Sequence, residues 1–330
     1  FAGATIEHLE EALLQQADEQ PPSPVIQVQK GNAKRPFFFL HGDLEDGGVY
    51  CIKLARALDP ALPFCAIHPV GVDGQPVPFT VEQIAADHLA ALRAVQPEGP
   101  YLLGGFCNGA LFAFEMARQL QAQGEHVEAL VLIEPGRAHL TVRGAGILIG
   151  LWSKLARLDP EKQIQLFLRL RAGYIDKSRR FLSHDRMRMI ATFDSVMRKW
   201  LERLARVLLP GDRHILLPSL LPQDHAGNLR SRISFEMQYR YSWAGSRYVP
   251  QRYRGRVALY QASEGQGGSG SDLTLGWKDF IDDIDVFITP GTHFSSITTH
   301  VEALAEQMRA WLGAHEHAVS EQDGSGNARA

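Results

Sequence analysis

Cysteine is scarce in this chain. Three occur in 330 residues, Cys51, Cys65 and Cys107, and no two form a Cys-x-x-Cys pair. An odd, widely spaced set excludes a disulfide framework and points to a reducing, cytoplasmic compartment. Long apolar runs are missing too. None approaches the ~18 residues that a membrane span needs, so no membrane partner is expected. The opening residues FAGATIEHLEEALLQQ lack the basic and apolar regions of a secretory signal. There are no internal repeats. Net charge is only −3, and no nucleic-acid partner is expected.

What is present is an ordinary globular composition, 45% apolar and 22% charged. A chain of this length can bury a large core, as one domain with an insertion or as two domains. The small net charge hides an asymmetry. Residues 137–256 carry 24 Lys and Arg against 9 Asp and Glu, and the rest carries 10 against 28. Such a basic segment suits a phosphate or an acidic partner, or is simply a solvated, Arg-rich helical insertion.

Along the chain, residues 5–16 have the spacing of one amphipathic helix, with Ile6, Leu9, Leu13 and Leu14 on one face. Residues 17–35 contain prolines and predict a linker. From residue 36 the pattern changes. PFFFLHG, PFCAIHPVG, YLLGG and VEALVLIEP predict buried strands. GGVYCIKLARAL, residues 80–95 and residues 108–123 predict the helices between them. Thr80 and Gln83 have capping-box spacing, and Gly124 stops the third helix. Alternating strands and helices imply an α/β fold, a mostly parallel twisted sheet covered on both faces. Residues 137–250 then predict a large helical insertion, with clear helices at 161–174 and 189–209. Strands resume at 256–263 and 285–291, followed by a last helix at 300–312. Residues 264–272 predict a flexible loop, and residues 313–330 a disordered tail. An insertion at a strand's C-terminal end lies over the mouth where ligands bind in open α/β sheets, so it is a candidate lid.

The chemistry centres on Gly105-Phe106-Cys107-Asn108-Gly109, placed between a strand and a helix. That is the setting of a nucleophile elbow, with Cys where Ser is usual. The two glycines let strand and helix approach closely. The thiol sits at a helix N-terminus, which favours the thiolate. A cysteine nucleophile needs a base and a group that orients it. His293 follows the last strand; His300 competes with it, and His41 belongs to the turn after the first strand. For the acid, Glu134 ends the strand after the elbow helix, and Glu264 ends the next one. The oxyanion hole is expected from the backbone N–H of Asn108 and that of Asp43, with Leu44 an alternative. Gly47 and Gly48 serve to start the following helix.

The combination of FFFLHG…GGVYCIKLARAL, QPEGPYLLGGFCNGALFAFEMARQLQAQGEHVEALVLIEP, Gly276-Trp277 and PGTHF resembles the terminal thioesterase domains of nonribosomal peptide and polyketide synthases. The likeness covers residues 36–312 and implies an α/β-hydrolase fold. It implies Cys107, Glu134 and His293 as the triad, with Glu264 left as the alternative acid. In that family Ser usually stands at 107, Asp at 134 and Gly-Asp-His at 291–293. The TIEHLEEALLQQ segment resembles the last helix of a carrier domain. With the initial Phe, it suggests that residues 1–16 are the remnant of an upstream acyl or peptidyl carrier. The resemblance further implies no metal and no bound cofactor, the substrate being carried on the phosphopantetheine of that partner. Cysteine suggests a demanding release step, such as closure of a strained lactone. Two other readings stand beside it: a free-standing dienelactone-hydrolase-like cysteine hydrolase, and an inactive docking module on the same fold.

Overall fold

A computed structural model describes residues 23–33, 35–44, 47–71, 76–136, 159, 163, 229–265 and 272–326. The chain divides into two compact units, residues 1–147 with 233–330, and residues 148–232. The second unit is described only at 159, 163 and 229–232. The helices expected at 5–16 and 189–209, that at 161–174 apart from residue 163, and nearly all of the insertion lie outside the described residues. Besides residues 159 and 163, what is described of the insertion is residues 229–250.

In the first unit, seven strands form one sheet: β1 Val25–Gln29, β2 Phe37–Leu40, β3 Phe64–Ile67, β4 Tyr101–Phe106, β5 Val127–Ile133, β6 Tyr253–Ala262 and β7 Ile281–Thr289. Their order is β1-β3-β2-β4-β5-β6-β7. Every neighbouring pair is parallel except β1 with β3. The helices are α1 Tyr50–Leu58, α2 Val81–Val95, α3 Asn108–Ala122, α4 Leu229–Arg247, α5 Ser295–Thr298 and α6 Val301–Gly326.

The run Phe37-Phe38-Phe39-Leu40 shows why these residues make a central strand. All four are buried, and strand geometry sends alternate side chains to opposite faces. Phe38 and Leu40 join a core with Leu89, Leu103, Phe114 and Leu132, which come from α2, α3, β4 and β5. Phe37 and Phe39 join a second core with Leu54, Val131, Leu304 and Trp311, so α1 and α6 cover the other face. Burial on both faces requires an unbroken apolar run, each Phe contributing about 2 kcal/mol. In α3 the fully buried Glu115 would be costly alone. Its carboxylate accepts hydrogen bonds from Arg118 Nε (2.8 Å), Gln119 Nε2 (2.9 Å) and the Tyr248 hydroxyl (2.7 Å). This locks α3 to the segment after α4.

Four elements differ from the sequence expectation. The segment expected as linker contains β1, whose Val25 pairs with Ile67. Half-buried edge strands carry a weak apolar signal, and the antiparallel partner is about forty positions away. β6 and β7 begin earlier than expected because their first turns pair with each other, Tyr253 with Ile281. The last helix continues to Gly326, into the tail expected to be disordered. No proline interrupts it, and extending an existing helix costs far less than nucleating one. Among the described residues no helix is long and apolar enough to cross a membrane.

Candidate active site

The C-terminal ends of β2, β4, β5 and β7 supply the site. β4 ends at Phe106 and α3 begins at Asn108, which leaves Cys107 alone in the bend with φ 55° and ψ −118°. A positive φ is costly for a residue with a side chain and persists only where the surroundings impose it. Here they do. The Cys107 N–H donates to Ile133 O at 3.0 Å, and helix α3 is pressed onto the end of β2. A Cβ at Gly109 would collide with the carbonyl oxygen of Leu40 and lie 2.9 Å from Gly42 N. The glycine of the elbow is therefore dictated by the approach of three backbone segments. Cys107 is partly exposed, whereas Cys51 and Cys65 are buried. Burial pushes the Cys51 thiol up to about 12 and raises that of Cys65.

Glu134 follows β5 and also has a positive φ, 50°. Its N–H donates to Tyr260 O at 2.8 Å. Its Oε1 accepts from the Ala262 N–H, and its Oε2 lies 2.8 Å from His293 Nδ1. β6 thus holds the carboxylate on its neighbour's end and aims the free oxygen at the ring. Of the two candidate acids, Glu134 makes this contact. Glu264 sits on the same rim, but its N–H goes to Gly291 O at 3.0 Å, and it is Glu134 that meets His293. Of the competing histidines, His300 packs beneath Gly291.

His293 lies in the turn between β7 and α5, half-exposed. Its Nδ1 lies 2.8 Å from Glu134 Oε2, and the Cys107 side chain acts on the same ring. Phe106 lies against it, ring centroids 4.9 Å apart at 30°. No local pattern announces this support. Phe106 is merely the variable position of the elbow, and only folding shows that its ring backs the imidazole. The His293 imidazolium is stabilised up to about 10, first by the hydrogen bond to Cys107, then by that to Glu134, with burial opposing both. Once protonated, the ring keeps its proton between a sulfur and a carboxylate.

That balance predicts a switch. When Cys107 is capped with a small thiomethyl group, the largest contribution vanishes and only Glu134 opposes desolvation. NMR titration of His293 then shows a midpoint well below that of the free protein. The buried Cys51 and Cys65 leave Cys107 as the accessible thiol. A midpoint unmoved by capping would show that the sulfur does not hold the ring's proton.

On the other side of the elbow, the turn after β2 carries Asp43, the second of the proposed oxyanion donors. A Cβ at Gly42 would lie 3.3 Å from Asn108 N and collide with the Phe106 carbonyl, so this turn abuts the start of α3. The Asp43 N–H donates to His41 Nδ1 at 3.2 Å. Asp43 Oδ2 accepts from Gly48 N at 3.3 Å. Gly47 and Gly48, expected as a helix start, form the turn before α1 with φ of 69° and 68°. Among the described residues, no three His, Cys, Asp or Glu side chains are arranged to hold a metal.

The geometry agrees with what comparison finds. Residues 50–176 match the model of the thioesterase domain family. Indigoidine synthase of Dickeya dadantii (strain 3937) is 37% identical over 144 residues, 42% of this chain and 9% of that protein. The chain spans 9% and 12% of the first two curated relatives it matches. Among solved structures, a holo four-domain nonribosomal peptide synthetase bound to AMP and glycine superposes with a TM-score of 0.57. It is 22% identical, over 93% of this chain and 21% of that one. The NocB thioesterase domain, in covalent complex with a fluorophosphonate nocardicin G analogue, gives 0.52 at 18% identity, over 88% of this chain and 99% of that one. The fold is that of the α/β-hydrolases, with a seven-stranded, mostly parallel sheet among the described residues.

Proposed function

We propose that this chain releases an acyl or peptidyl chain from the phosphopantetheine thioester of a carrier domain, through an acyl-enzyme on Cys107. Release is by intramolecular cyclisation or by hydrolysis. One observation carries the reading: a partly exposed thiol in a strained strand-to-helix bend, in line with an imidazole and a carboxylate. The likeness to thioesterase domains of multidomain synthases supports the carrier as partner and the cytoplasm as location.

In this reading His293 removes the proton of Cys107, and Glu134 holds the ring and balances its charge. The thiolate attacks the thioester carbonyl. Backbone N–H groups of Asn108 and Asp43 meet the oxygen as it becomes negative. The tetrahedral adduct collapses, the carrier thiol leaves with the proton from His293, and the acyl group stays on Cys107. Having given up that proton the ring is neutral, and with the sulfur acylated it is able to act as a base. It then deprotonates water or a hydroxyl of the acyl chain, and attack returns Cys107 as thiol.

Cysteine has a thermodynamic consequence. Transfer from carrier thiol to Cys107 exchanges one thioester for another and is nearly thermoneutral. A serine would form a less reactive oxoester. The cysteine form keeps more driving force for release, and this favours a demanding product such as a strained lactone. The test is a synthetic β-hydroxyacyl thioester with intact mass and product analysis. An adduct on Cys107 followed by cyclic product is expected. Linear acid alone would remove the cyclisation, and the absence of any adduct would remove the acyl-enzyme itself.

A further inference from the structure

His41 and His68 take no part in the chemistry above, yet they are joined beside it. His41 is 1% exposed. Its Nε2 lies 2.9 Å from His68 Nδ1, and the rings meet edge-on, centroids 4.8 Å apart. The ring occupies the space where a Cβ on Gly48 would be, and its backbone carbonyl accepts the Tyr50 hydroxyl. A backbone N–H can only donate, so the contact from Asp43 N requires a bare lone pair on His41 Nδ1. The single proton of neutral His41 is then on Nε2, and His68 Nδ1 accepts it. Burial holds His41 neutral, its value lowered to about 4. The charge of His68 reinforces this, and the carboxylate of Asp43 opposes it. Burial holds the neighbouring His88 neutral as well, with the charge of His41 a lesser cause.

We propose that His41 and His68 are positioning residues for the oxyanion turn: His68 fixes the His41 proton on Nε2, and the bare Nδ1 pins the Asp43 N–H in place. This rests on the reading of that N–H as an oxyanion donor. The contact fixes the Asp43 peptide before substrate arrives, and the N–H exchanges His41 Nδ1 for the oxyanion as charge develops. A 3.2 Å contact to a neutral nitrogen is long, and a developing oxyanion accepts more strongly.

The test compares His68→Leu, which removes the acceptor, with His68→Asn, whose amide oxygen replaces Nδ1. Two rates at Cys107 are measured: acylation by a synthetic thioester, and alkylation by iodoacetamide, which develops no oxyanion. Acylation should fall about 10-fold in His68→Leu with alkylation unchanged, and should recover in His68→Asn. Nitrogen NMR of the His41 ring should show Nδ1 unprotonated in the wild type and in His68→Asn. Undiminished acylation in His68→Leu, equal losses in both variants, a parallel loss of alkylation, or a protonated Nδ1 in the wild type would each overturn the proposal. A wild type that forms no acyl adduct would instead bring down the acyl-enzyme reading on which it rests.

Discussion

Cys107→Ala forms no covalent adduct with a synthetic acyl thioester, and thiol release falls by a factor on the order of 10⁴ or more. The expectation follows from how the three thiols are placed. Cys51 and Cys65 lie in the two cores, and burial disfavours their ionised forms. Cys107 alone among them is partly exposed, and its side chain raises the proton affinity of His293. Alanine keeps the bend and its glycines, so the fold should be intact and the loss chemical. Cys107→Ser separates nucleophile identity from position. It should still form an adduct, now an oxoester, and products should shift toward hydrolysis or stall at the acyl-enzyme. The measurements are intact mass and product analysis. An adduct of the same mass on Cys107→Ala would place the nucleophile elsewhere.

Gly109→Ala should unfold or severely weaken the protein, by about 3 kcal/mol or more, read from denaturant melts. The added methyl would collide with the Leu40 carbonyl oxygen, and lie 2.7 Å from its carbon and 2.9 Å from Gly42 N. All three are backbone atoms of the central sheet and the turn after β2, so no side chain can swing aside. Any relaxation must move α3 away from β2, which carries Cys107 away from that turn. Residual folded protein should therefore also acylate slowly. Gly313→Ala in α6 is the control: the added Cβ meets nothing within 4 Å. It should leave stability unchanged or raise it slightly, since alanine is the better helix former. Equal melting of the two variants would show that the elbow does not depend on close backbone approach.

Much of this protein was legible because its signals are local. Four buried residues in a row at Phe37 mark a strand with both faces covered. The glycines at 105 and 109 announce a bend between strand and helix. Thr80 caps α2, accepting from Gln83 N as its spacing predicts. The positions of Cys107, Glu134 and His293 follow from the rule that functional groups gather at the ends of parallel strands. The boundaries of β1, β6, β7 and α6 were less legible, because pairing partners and continued helix propagation decide them.

Chain order alone left two carboxylates and several histidines as candidates. A strand end is a place on the rim and not a direction, so sequence could not choose between Glu134 and Glu264. What separates them in the structure is β6, whose Ala262 N–H takes one oxygen of Glu134 while the other lies beside His293. The support of that ring by Phe106, and the histidine pair beneath the oxyanion turn, join residues far apart in sequence or with no signal of their own. The amino-acid order determined which strands end where and which residues stand on them. Side-chain aim, tautomer and proton affinity arise only when separate strands are brought side by side, so the tertiary structure alone decided those.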